Sequence, residues 1–173
     1  MDISILLPTR GRSDALMSSI QSLHDLANDF SSIELLFGMD NDDVVGMENM
    51  LHNVIPWIEK HNVPHKIVIF ERFGYNNLHK YVNGLAEHSQ GSWLFFWNDD
   101  AVMKTQEWDT KIREKTGEFK LLSVHTHNEH PYSIFPILPR QWFEILGHVS
   151  RHSSNDAWVS QIAYCLDIFE RIE

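Results

Sequence analysis

The strongest constraint on the fold is an apolar run at residues 93–97, which ends abruptly in Asn98, Asp99 and Asp100. A run without polar alternation is typical of a strand that is buried on both faces of a parallel sheet. Ligands of open α/β sheets bind just beyond the carboxyl ends of the strands. Two adjacent carboxylates at such an end repel each other, and a divalent cation relieves that repulsion. The run therefore predicts both a sheet and a metal-binding edge.

Strand and helix patterns alternate through the first hundred residues. Apolar runs predict four strands, at residues 3–7, 33–39, 66–70 and 93–97. Apolar spacing of three and four predicts helices at residues 14–27, 44–59 and 78–85. Ser13 is a candidate N-cap of the first helix, and Pro56 is expected to kink the second. This alternation predicts an α/β fold with a mainly parallel sheet flanked by helices.

Polar residues follow each of these four predicted strands. They are residues 9–12, 40–43, 71–72 and 98–100. Right-handed crossovers bring the carboxyl ends of parallel strands to one edge of the sheet, so these side chains are expected to converge. Within the second group, Asp42 and Asp43 are candidate caps of the next helix.

The second half of the chain has a less regular pattern. It predicts helices at residues 107–115, 141–146 and 156–172, and strands at residues 121–125 and 132–138. Cys165 lies in the last of these apolar helical patterns and is expected in the core. At 173 residues and 20.3 kDa the chain fits one domain, with halves at 1–105 and 106–173. The last helical pattern reaches the final residue without a capping signal, so we expect a fragment or a minimal version of a larger domain.

Composition excludes several classes of protein. The formal net charge of −10 argues against nucleic acid as a partner, because binding to its phosphate backbone needs a basic face. A single cysteine excludes an intrachain disulfide and a cysteine-based zinc site. No apolar run approaches the ~20 residues of a membrane span. Met1 leads directly into a strand pattern without a signal sequence, so a cytoplasmic protein is expected.

The first 105 or so residues resemble the nucleotide-binding half of GT-A glycosyltransferases, particularly family 2. The resemblance depends on the order and spacing of four segments: the opening strand and Pro-Thr turn at residues 4–12, Asp40, the Gly/Asn-containing segment at 74–91, and a variant DxD motif at 98–100. A looser resemblance at residues 139–143 and 155–158 covers the acceptor-side segment and the catalytic acid.

This resemblance implies a GT-A fold and an inverting transfer from a nucleotide-diphosphate sugar of the UDP or GDP type. The acceptor, whether a glycan, a lipid-linked molecule or a protein, stays open. The implied cofactor is Mn²⁺ or Mg²⁺, with Asp100 as the direct ligand and Asp99 beside it. The implied nucleotide-binding residues are Pro8, Thr9, Arg10, Arg12, Asp40, Arg72, Asn98 and Asp99. Arg10 or Arg12 would pair with the diphosphate, although Arg12 has Asp14 as a local alternative.

Asp156 is the candidate catalytic base, because an inverting transfer needs a carboxylate to take the proton of the acceptor hydroxyl. It is equally consistent with a capping or first-turn acid of a helix, and Glu129 is a weaker candidate. Trp97, Trp108, Trp142 and Trp158 are expected in the core by default. The acceptor-side candidates are Trp142 and Trp158 as alternative stacking platforms, and His127 and His152 as acceptor, metal or phosphate contacts. A zinc site at His125, His127 and His130 is disfavoured, since no thiol ligand and no HExxH motif accompany them.

Two other functions remain as alternatives. A binding module that kept the fold and lost turnover would explain why Asn98 replaces the first acid of the DxD motif. A sugar-phosphate nucleotidylyltransferase also uses an α/β sheet and a metal, but Gly11 stands nearly alone where that chemistry needs a glycine-rich loop. A Walker-type kinase or phosphatase is disfavoured, because no GxxxxGK[ST] motif occurs.

Overall fold

A computed structural model describes residues 1–127 and 130–172. The strands are β1 (Ile3–Thr9), β2 (Ile33–Asp40), β3 (His65–Phe70), β4 (Trp93–Phe96), β5 (Leu121–Val124), β6 (Pro136–Pro139) and β7 (Phe169–Ile172). The α-helices are α1 (Ser13–Asp25), α2 (Val44–Asn49), α3 (Ile55–His61), α4 (Leu78–His88), α5 (Trp108–Arg113), α6 (Arg140–Leu146) and α7 (Asn155–Cys165). Short 3₁₀ helices form at Phe30–Ser32 and Tyr75–Asn77.

These strands form one seven-stranded sheet in the order β3-β2-β1-β4-β6-β5-β7. β1 is parallel to both β2 and β4, and β2 is parallel to β3. β6 is antiparallel to β4 and β5, and β7 is parallel to β5. The predicted mainly parallel α/β fold is therefore confirmed, and the second half of the chain extends the same sheet.

β1 lies between β2 and β4, and its apolar side chains serve both layers of the core. Ile3, Ile5 and Leu7 pack into the core cluster that includes α1, whereas Leu6 packs into the cluster that includes α4. All four side chains are fully buried. This two-sided burial is why the sequence of β1 is continuously apolar rather than alternating.

The three neighbouring strands share a register that fixes where their carboxyl ends lie. Leu6 lies opposite Leu36 on one side and Phe96 on the other. Three residues further along, β1 has reached Thr9 and the segment after β4 has reached Asp99. The predicted convergence of the strand ends at one edge of the sheet is therefore confirmed.

The predicted helix at 44–59 forms as one continuous helical segment with a π turn in its middle. The α-helix α2 passes into a π-helix at Met50–Val54, which is followed by α3. Pro56 lies at the start of α3 and lacks an N–H, so a widened turn immediately before it accommodates the missing hydrogen bond. The expected disturbance at Pro56 therefore takes the form of a π turn.

Two predicted caps differ from the structure. Ser13 is the first residue of α1 rather than its cap, and Arg12 takes the N-cap position. Asp43 caps α2 as predicted, because its Oδ1 accepts a hydrogen bond from the Gly46 N–H at 3.1 Å. Asp42 caps nothing and instead pairs with Arg10.

The C-terminal helix is shorter than predicted. α7 ends at Cys165, Asp167 adopts a left-handed conformation (φ 55°), and the chain then forms β7. The apolar spacing of Phe169 and Ile172 fits a continued helix, but the open edge of β5 offers backbone partners, and the Leu121 N–H donates to the Ile168 carbonyl at 2.8 Å. Cys165 is exposed, so its expected place in the core is wrong as well.

The other elements of the second half are confirmed to within a few residues. β5, α5 and α6 occupy the predicted positions, whereas β6 is confined to the last part of the predicted strand at 132–138. Among the helices of the described residues, none combines the length and the apolar character needed to cross a bilayer.

A close backbone contact joins the turn before β4 to β1. The Gly91 N–H donates to Ser4 Oγ at 2.7 Å, and that hydroxyl donates to the buried carboxylate of Glu34 at 2.6 Å. A Cβ atom at residue 91 would lie 2.6 Å from the backbone nitrogen of Ser4. No rotamer change relieves a clash with backbone, so strand β1 itself would have to move.

We therefore expect Gly91→Ala to lower the free energy of unfolding by about 1–3 kcal/mol, the usual cost of overpacking. Urea denaturation followed by circular dichroism measures this difference. Ser92→Ala is the matched control, because the neighbouring Ser92 side chain is exposed and its removal should change stability by less than about 0.5 kcal/mol. Equal stability of Gly91→Ala and the wild type would contradict the close approach.

Candidate functional site at the carboxyl edge of the sheet

A cleft of about 840 Å³ opens along the carboxyl edge of β1, β2, β3 and β4. Its wall is completed by the segment before α4 and by the start of α7. The cleft is lined by every candidate nucleotide-binding and metal-binding residue and by the candidate base: Pro8, Thr9, Arg10, Arg12, Asp40, Arg72, Asn98, Asp99, Asp100 and Asp156. Residues that lie far apart in the sequence are thus brought to one place, and their individual roles stay predictions.

Arg10 joins the end of β1 to the end of β2. Its Nη1 donates to Asp40 Oδ2 at 2.9 Å and to Asp42 Oδ1 at 2.5 Å. The hydrogen bond with Asp42 raises the pKa of Arg10 and lowers the pKa of Asp42. Arg72, after β3, lies 3.5 Å from the other oxygen of Asp42. This side of the cleft therefore holds charged groups of both signs at neutral pH.

Asp40 is held on its second oxygen by Tyr81 of α4. The Tyr81 hydroxyl donates to Asp40 Oδ1 and accepts hydrogen bonds from the Phe73 N–H at 2.9 Å and the Gly74 N–H at 3.2 Å. Burial, reinforced by the bond to Asp40, raises the pKa of Tyr81. Because Asp40 is only 4% exposed and is held from two sides, its carboxylate has a defined orientation.

Tyr81 was missed as a site residue in the sequence analysis. It lies three residues after Leu78 and four before Leu85, on the apolar face of α4 that packs against the sheet. A hydroxyl on an otherwise apolar helix face is the signal that could have found it, because a buried Tyr O–H usually has a polar partner.

The carboxylates of Asp99 and Asp100 both contact the guanidinium group of Arg12. Asp99 is 6% exposed, and its Oδ2 accepts a hydrogen bond from Thr9 Oγ1 at 2.8 Å. Arg12 Nη1 lies 3.2 Å from Asp99 Oδ1 and 2.5 Å from Asp100 Oδ2. Burial raises the pKa of Asp99, and the contacts with Thr9 and Arg12 oppose that rise. Arg12 thus pairs with this acidic cluster rather than with Asp14.

Hydrogen bonds hold the backbone beneath Asp99 and Asp100. Trp97 is 3% exposed and its Nε1 donates to Ser19 Oγ at 2.7 Å, and that hydroxyl donates to the Asn98 carbonyl at 3.3 Å. The Asn98 carbonyl also accepts from the Ala101 N–H at 3.1 Å. Helix α1 therefore fixes the backbone that presents Asp99 and Asp100.

The donor set of this cluster fits a shared cation site. Carboxylate and amide oxygens are the ligands that Mg²⁺ and Mn²⁺ prefer. Within residues 1–127 and 130–172, however, no group of three or more His, Cys, Asp or Glu side chains is arranged to hold an ion. Asp99 and Asp100 alone could supply only part of a coordination shell, and the oxygens of a bound phosphate group and water would have to supply the rest.

Asp156 lies in the first turn of α7. Its Oδ1 accepts a hydrogen bond from the Ala157 N–H at 2.8 Å, while its side chain also lines the cleft. Ser154 takes the N-cap position, so Asp156 is a first-turn acid and not the cap. Asp156 is therefore a first-turn acid of α7 and also a residue of the cleft.

Helix α4 also holds the loop that leads to Asp156. Asn83 Oδ1 accepts from the N–H groups of Val149 and Ser150 at 2.8 and 3.1 Å, and its Nδ2 donates to the Ser150 carbonyl at 2.8 Å. Because Tyr81 on the same helix holds Asp40, α4 connects the nucleotide side of the cleft to the side of the candidate base.

The acceptor-side candidates do not line the cleft. Trp142 as a stacking platform is wrong, because its ring is 1% exposed in the core and its Nε1 donates to the Val149 carbonyl at 3.1 Å. Trp158 is half-buried against the ring of His148. His127 and His152 are exposed. Glu129, the weaker candidate for the base, lies outside the described residues.

Two tyrosines line the cleft instead. Tyr75, which precedes α4, is 87% exposed, and Tyr132 lies in the segment before β6. Tyr75 lies in a segment without apolar periodicity, and Tyr132 begins the predicted strand at 132–138, whose pattern gives no sign of a cleft.

No family model matches the sequence, and no curated protein matches it. Solved structures do share its fold. One is the mannosyltransferase PcManGT from Pyrobaculum calidifontis in complex with GDP-Man and Mn²⁺, with a TM-score of 0.70 and 13% identity over 86% of this chain and 47% of that chain. Another is S. aureus TarS 1–349 in complex with UDP-GlcNAc, with a TM-score of 0.76 and 12% identity over 99% of this chain and 56% of that chain.

These comparisons confirm the predicted glycosyltransferase fold. The chain spans about half the length of the solved proteins that it matches, 47% of one and 56% of the other. Membership of family 2 stays a prediction.

Two half-buried histidines, His79 and His148, make the stability of the region around the loop held by Asn83 sensitive to pH. Burial, with the nearby charges of Lys80 and His152, lowers the pKa of His79, and burial with Arg151 lowers the pKa of His148. In both, Nδ1 is buried without a hydrogen-bond partner among the described residues. The folded protein therefore favours the neutral form of both rings.

We expect the free energy of unfolding to fall as the pH drops below about 6.5, because the unfolded chain then binds protons that the folded chain resists. His79→Gln should flatten this dependence, as measured by urea denaturation at about pH 7.5 and about pH 5.5. His127→Gln is the control for the loss of an exposed histidine. An unchanged slope in His79→Gln would contradict the assignment.

Proposed function

We propose that this chain is a metal-dependent glycosyltransferase that moves a sugar from a nucleotide-diphosphate sugar of the UDP or GDP type to an acceptor, with inversion. The observation that carries the proposal is that the carboxylates and arginines of four strand ends line one cleft with Asp156. The fold shared with a solved mannosyltransferase bound to GDP-Man and Mn²⁺ and with TarS bound to UDP-GlcNAc supports it. In this proposal residues 1–173 form one domain, with the nucleotide and metal bound by residues 1–105 and the acceptor by residues 106–173.

The nucleotide would lie against the ends of β1 and β2. Pro8 and Thr9 form the wall beside Asp40, whose fixed carboxylate accepts hydrogen bonds from N–H or O–H groups of the nucleoside. Arg72 is 58% exposed and has one ion pair among the described residues, at 3.5 Å, so its guanidinium is available to a diphosphate. Arg10 fixes Asp40 and adds positive charge on the same side.

Asp99 and Asp100 would hold Mn²⁺ or Mg²⁺ together with oxygens of the diphosphate, with Asp100 as the direct ligand. When bound there, such a cation would supply Lewis-acid stabilisation of the departing nucleoside diphosphate. Thr9 keeps Asp99 in place by donating to Oδ2, and Trp97 and Ser19 fix the backbone beneath it. The Asp99 carboxylate is therefore held in position before the donor binds.

Asp156 would act as the base on the acceptor side. As the acceptor oxygen forms its bond to the anomeric carbon, the bond from that carbon to the diphosphate oxygen breaks, and the acceptor proton passes to Asp156. The bond from the Ala157 N–H to Oδ1 leaves Oδ2 as the free acceptor of this proton.

Calorimetry with UDP and GDP, each with and without Mn²⁺, tests the binding part of the proposal. We expect one of the two nucleotides to bind, and more tightly with Mn²⁺, because the cation offsets the repulsion between the phosphates and the aspartates. Asp100→Asn should remove the Mn²⁺-dependent gain. Asp25→Asn, at a carboxylate that is 72% exposed outside the cleft, is the control. Failure of both nucleotides to bind in either condition would refute the proposal.

A second function, a nucleotide-sugar binding module without turnover, is favoured by one observation. Asn98 stands where the family motif has its first acid, and it lines the cleft. This alternative keeps the binding chemistry at Asp40, Asp99 and Asp100 and removes the role of Asp156.

Turnover separates the two functions. If the chain is an enzyme, Asp156→Asn should reduce hydrolysis or transfer of the bound sugar nucleotide by roughly 10²–10⁴-fold, the usual contribution of a general base. The affinity for the nucleotide should change little, because Asp156 contacts the acceptor and not the diphosphate. A wild-type protein that binds nucleotide without any turnover would instead establish the binding module.

A further inference from the structure

Arg12 occupies the space between the two carboxylates where the proposed function requires a cation. Its Nη1 is within 3.2 Å of Asp99 Oδ1 and 2.5 Å of Asp100 Oδ2. We propose that Arg12 is an internal counter-ion that a divalent cation must displace from Asp99 and Asp100, and that the displaced guanidinium then binds the diphosphate. This inference rests on the proposed function of the site.

One guanidinium nitrogen contacts both carboxylates, so the group fills the gap between them. A divalent cation would use the same oxygens, at about 2.0–2.6 Å, and would lie against a positive charge if Arg12 stayed in place. Repulsion between two cations at such short range makes simultaneous occupancy unfavourable. Binding of the cation and departure of Arg12 are therefore one event.

The side chain of Arg12 can leave while its backbone stays fixed. The side chain is 55% exposed and that of Asp100 is 52% exposed, so the shorter of the two ion pairs is at the surface and contributes little. In contrast, the Arg12 carbonyl accepts from the Leu16 N–H at 2.9 Å, and the adjacent Gly11 N–H donates to Asp43 at 2.9 Å. Movement is thus confined to the long side chain.

Arg10, the other arginine of this turn, has no such conflict. Its partners are Asp40 and Asp42, neither of which belongs to the candidate metal site, and its side chain is 38% exposed. A cation at Asp99 and Asp100 therefore displaces Arg12 and leaves Arg10 in place.

The released Arg12 guanidinium would face the cleft in which the diphosphate lies, and its planar fork suits phosphate oxygens. The nucleotide would then find both the cation and a free arginine. The cation in turn would bind more tightly when the nucleotide holds Arg12 away. By linkage, each ligand must raise the affinity of the other by the same factor.

Binding of Mn²⁺ without nucleotide, measured as the loss of the electron paramagnetic resonance signal of free Mn²⁺, tests the displacement. We expect Arg12→Gln to raise the affinity roughly two- to fivefold over the wild type, because no surface ion pair has to be broken. Asp100→Asn should abolish binding and so identify the site. Arg12→Gln should also lose most of the gain in Mn²⁺ affinity that the wild type shows when UDP or GDP is added.

Arg72→Gln is the matched control. It removes the same charge from the same cleft, and Arg72 pairs with Asp42 but with neither Asp99 nor Asp100. The increase in Mn²⁺ affinity should therefore be clearly smaller than in Arg12→Gln. Equal increases in both variants, or none in Arg12→Gln, would overturn the inference. Urea denaturation of each variant verifies that it is folded.

The outcomes separate this inference from the proposed function. If the wild type binds nucleotide with Mn²⁺ and Arg12→Gln has unchanged affinity for the ion, the function stands and the displacement is wrong. If Arg12→Gln binds Mn²⁺ more tightly while no nucleotide binds to the wild type, the displacement stands and the proposed function is wrong.

Discussion

The shared register of β1, β2 and β4 is the constraint on which the site depends. Because the three strands are parallel and in step, residues just beyond their ends become neighbours across the sheet edge. Thr9 meets Asp99 at 2.8 Å, and Arg10 meets Asp40 at 2.9 Å, although 90 and 30 residues separate them along the chain. A slip of one strand would also move its side chains to the opposite face of the sheet, which is costly where both faces are buried. The packing of the core therefore also sets the geometry of the cleft.

This geometry gathers like charges, and the chain balances them with its own arginines. Among the described residues that line the cleft there are four aspartates and three arginines. Each arginine of the turn after β1 bridges two carboxylates, which removes the need for an external ion while the cleft is empty. The same pairs limit what can bind, because a cation must compete for the carboxylates and a diphosphate must compete for the arginines.

The parallel half of the fold was predictable from the sequence, because its strands are continuous apolar runs and the polar residues after them mark the sheet edge. The end of the chain was not. Cys165, Phe169 and Ile172 keep a helical spacing, and only the free edge of β5, which no local pattern reveals, makes the segment a strand. Long-range pairing overrides local periodicity in such segments.

The site residues divide in the same way into those that were predictable from the sequence and those that were not. Asp40, Asp99 and Asp100 are visible because Asp40 ends β2 and the other two lie within four residues of the end of β4, at the sheet edge that lines the cleft. For Trp142 the default expectation of a core position is confirmed, whereas its alternative role as a stacking platform is excluded by its burial. Tyr81 acts through Asp40, 41 residues away, and such a contact exists only in the folded chain.

The asparagine at position 98 is better explained by the balance of aspartates and arginines in the cleft than by a loss of function. An aspartate at this position would add a fifth carboxylate to the cleft lining beside an acidic pair that already shares one guanidinium. The amide of asparagine keeps an oxygen that can bind a divalent cation or a hydroxyl without adding charge. The Asn98 backbone remains tied to Ser19 and Ala101, so the loop keeps its shape with either side chain. Asparagine instead of aspartate at position 98 therefore weakens the argument for an enzyme less than its position in the motif suggests. In the proposed function, the group that would distinguish turnover from binding is Asp156, which lines the same cleft.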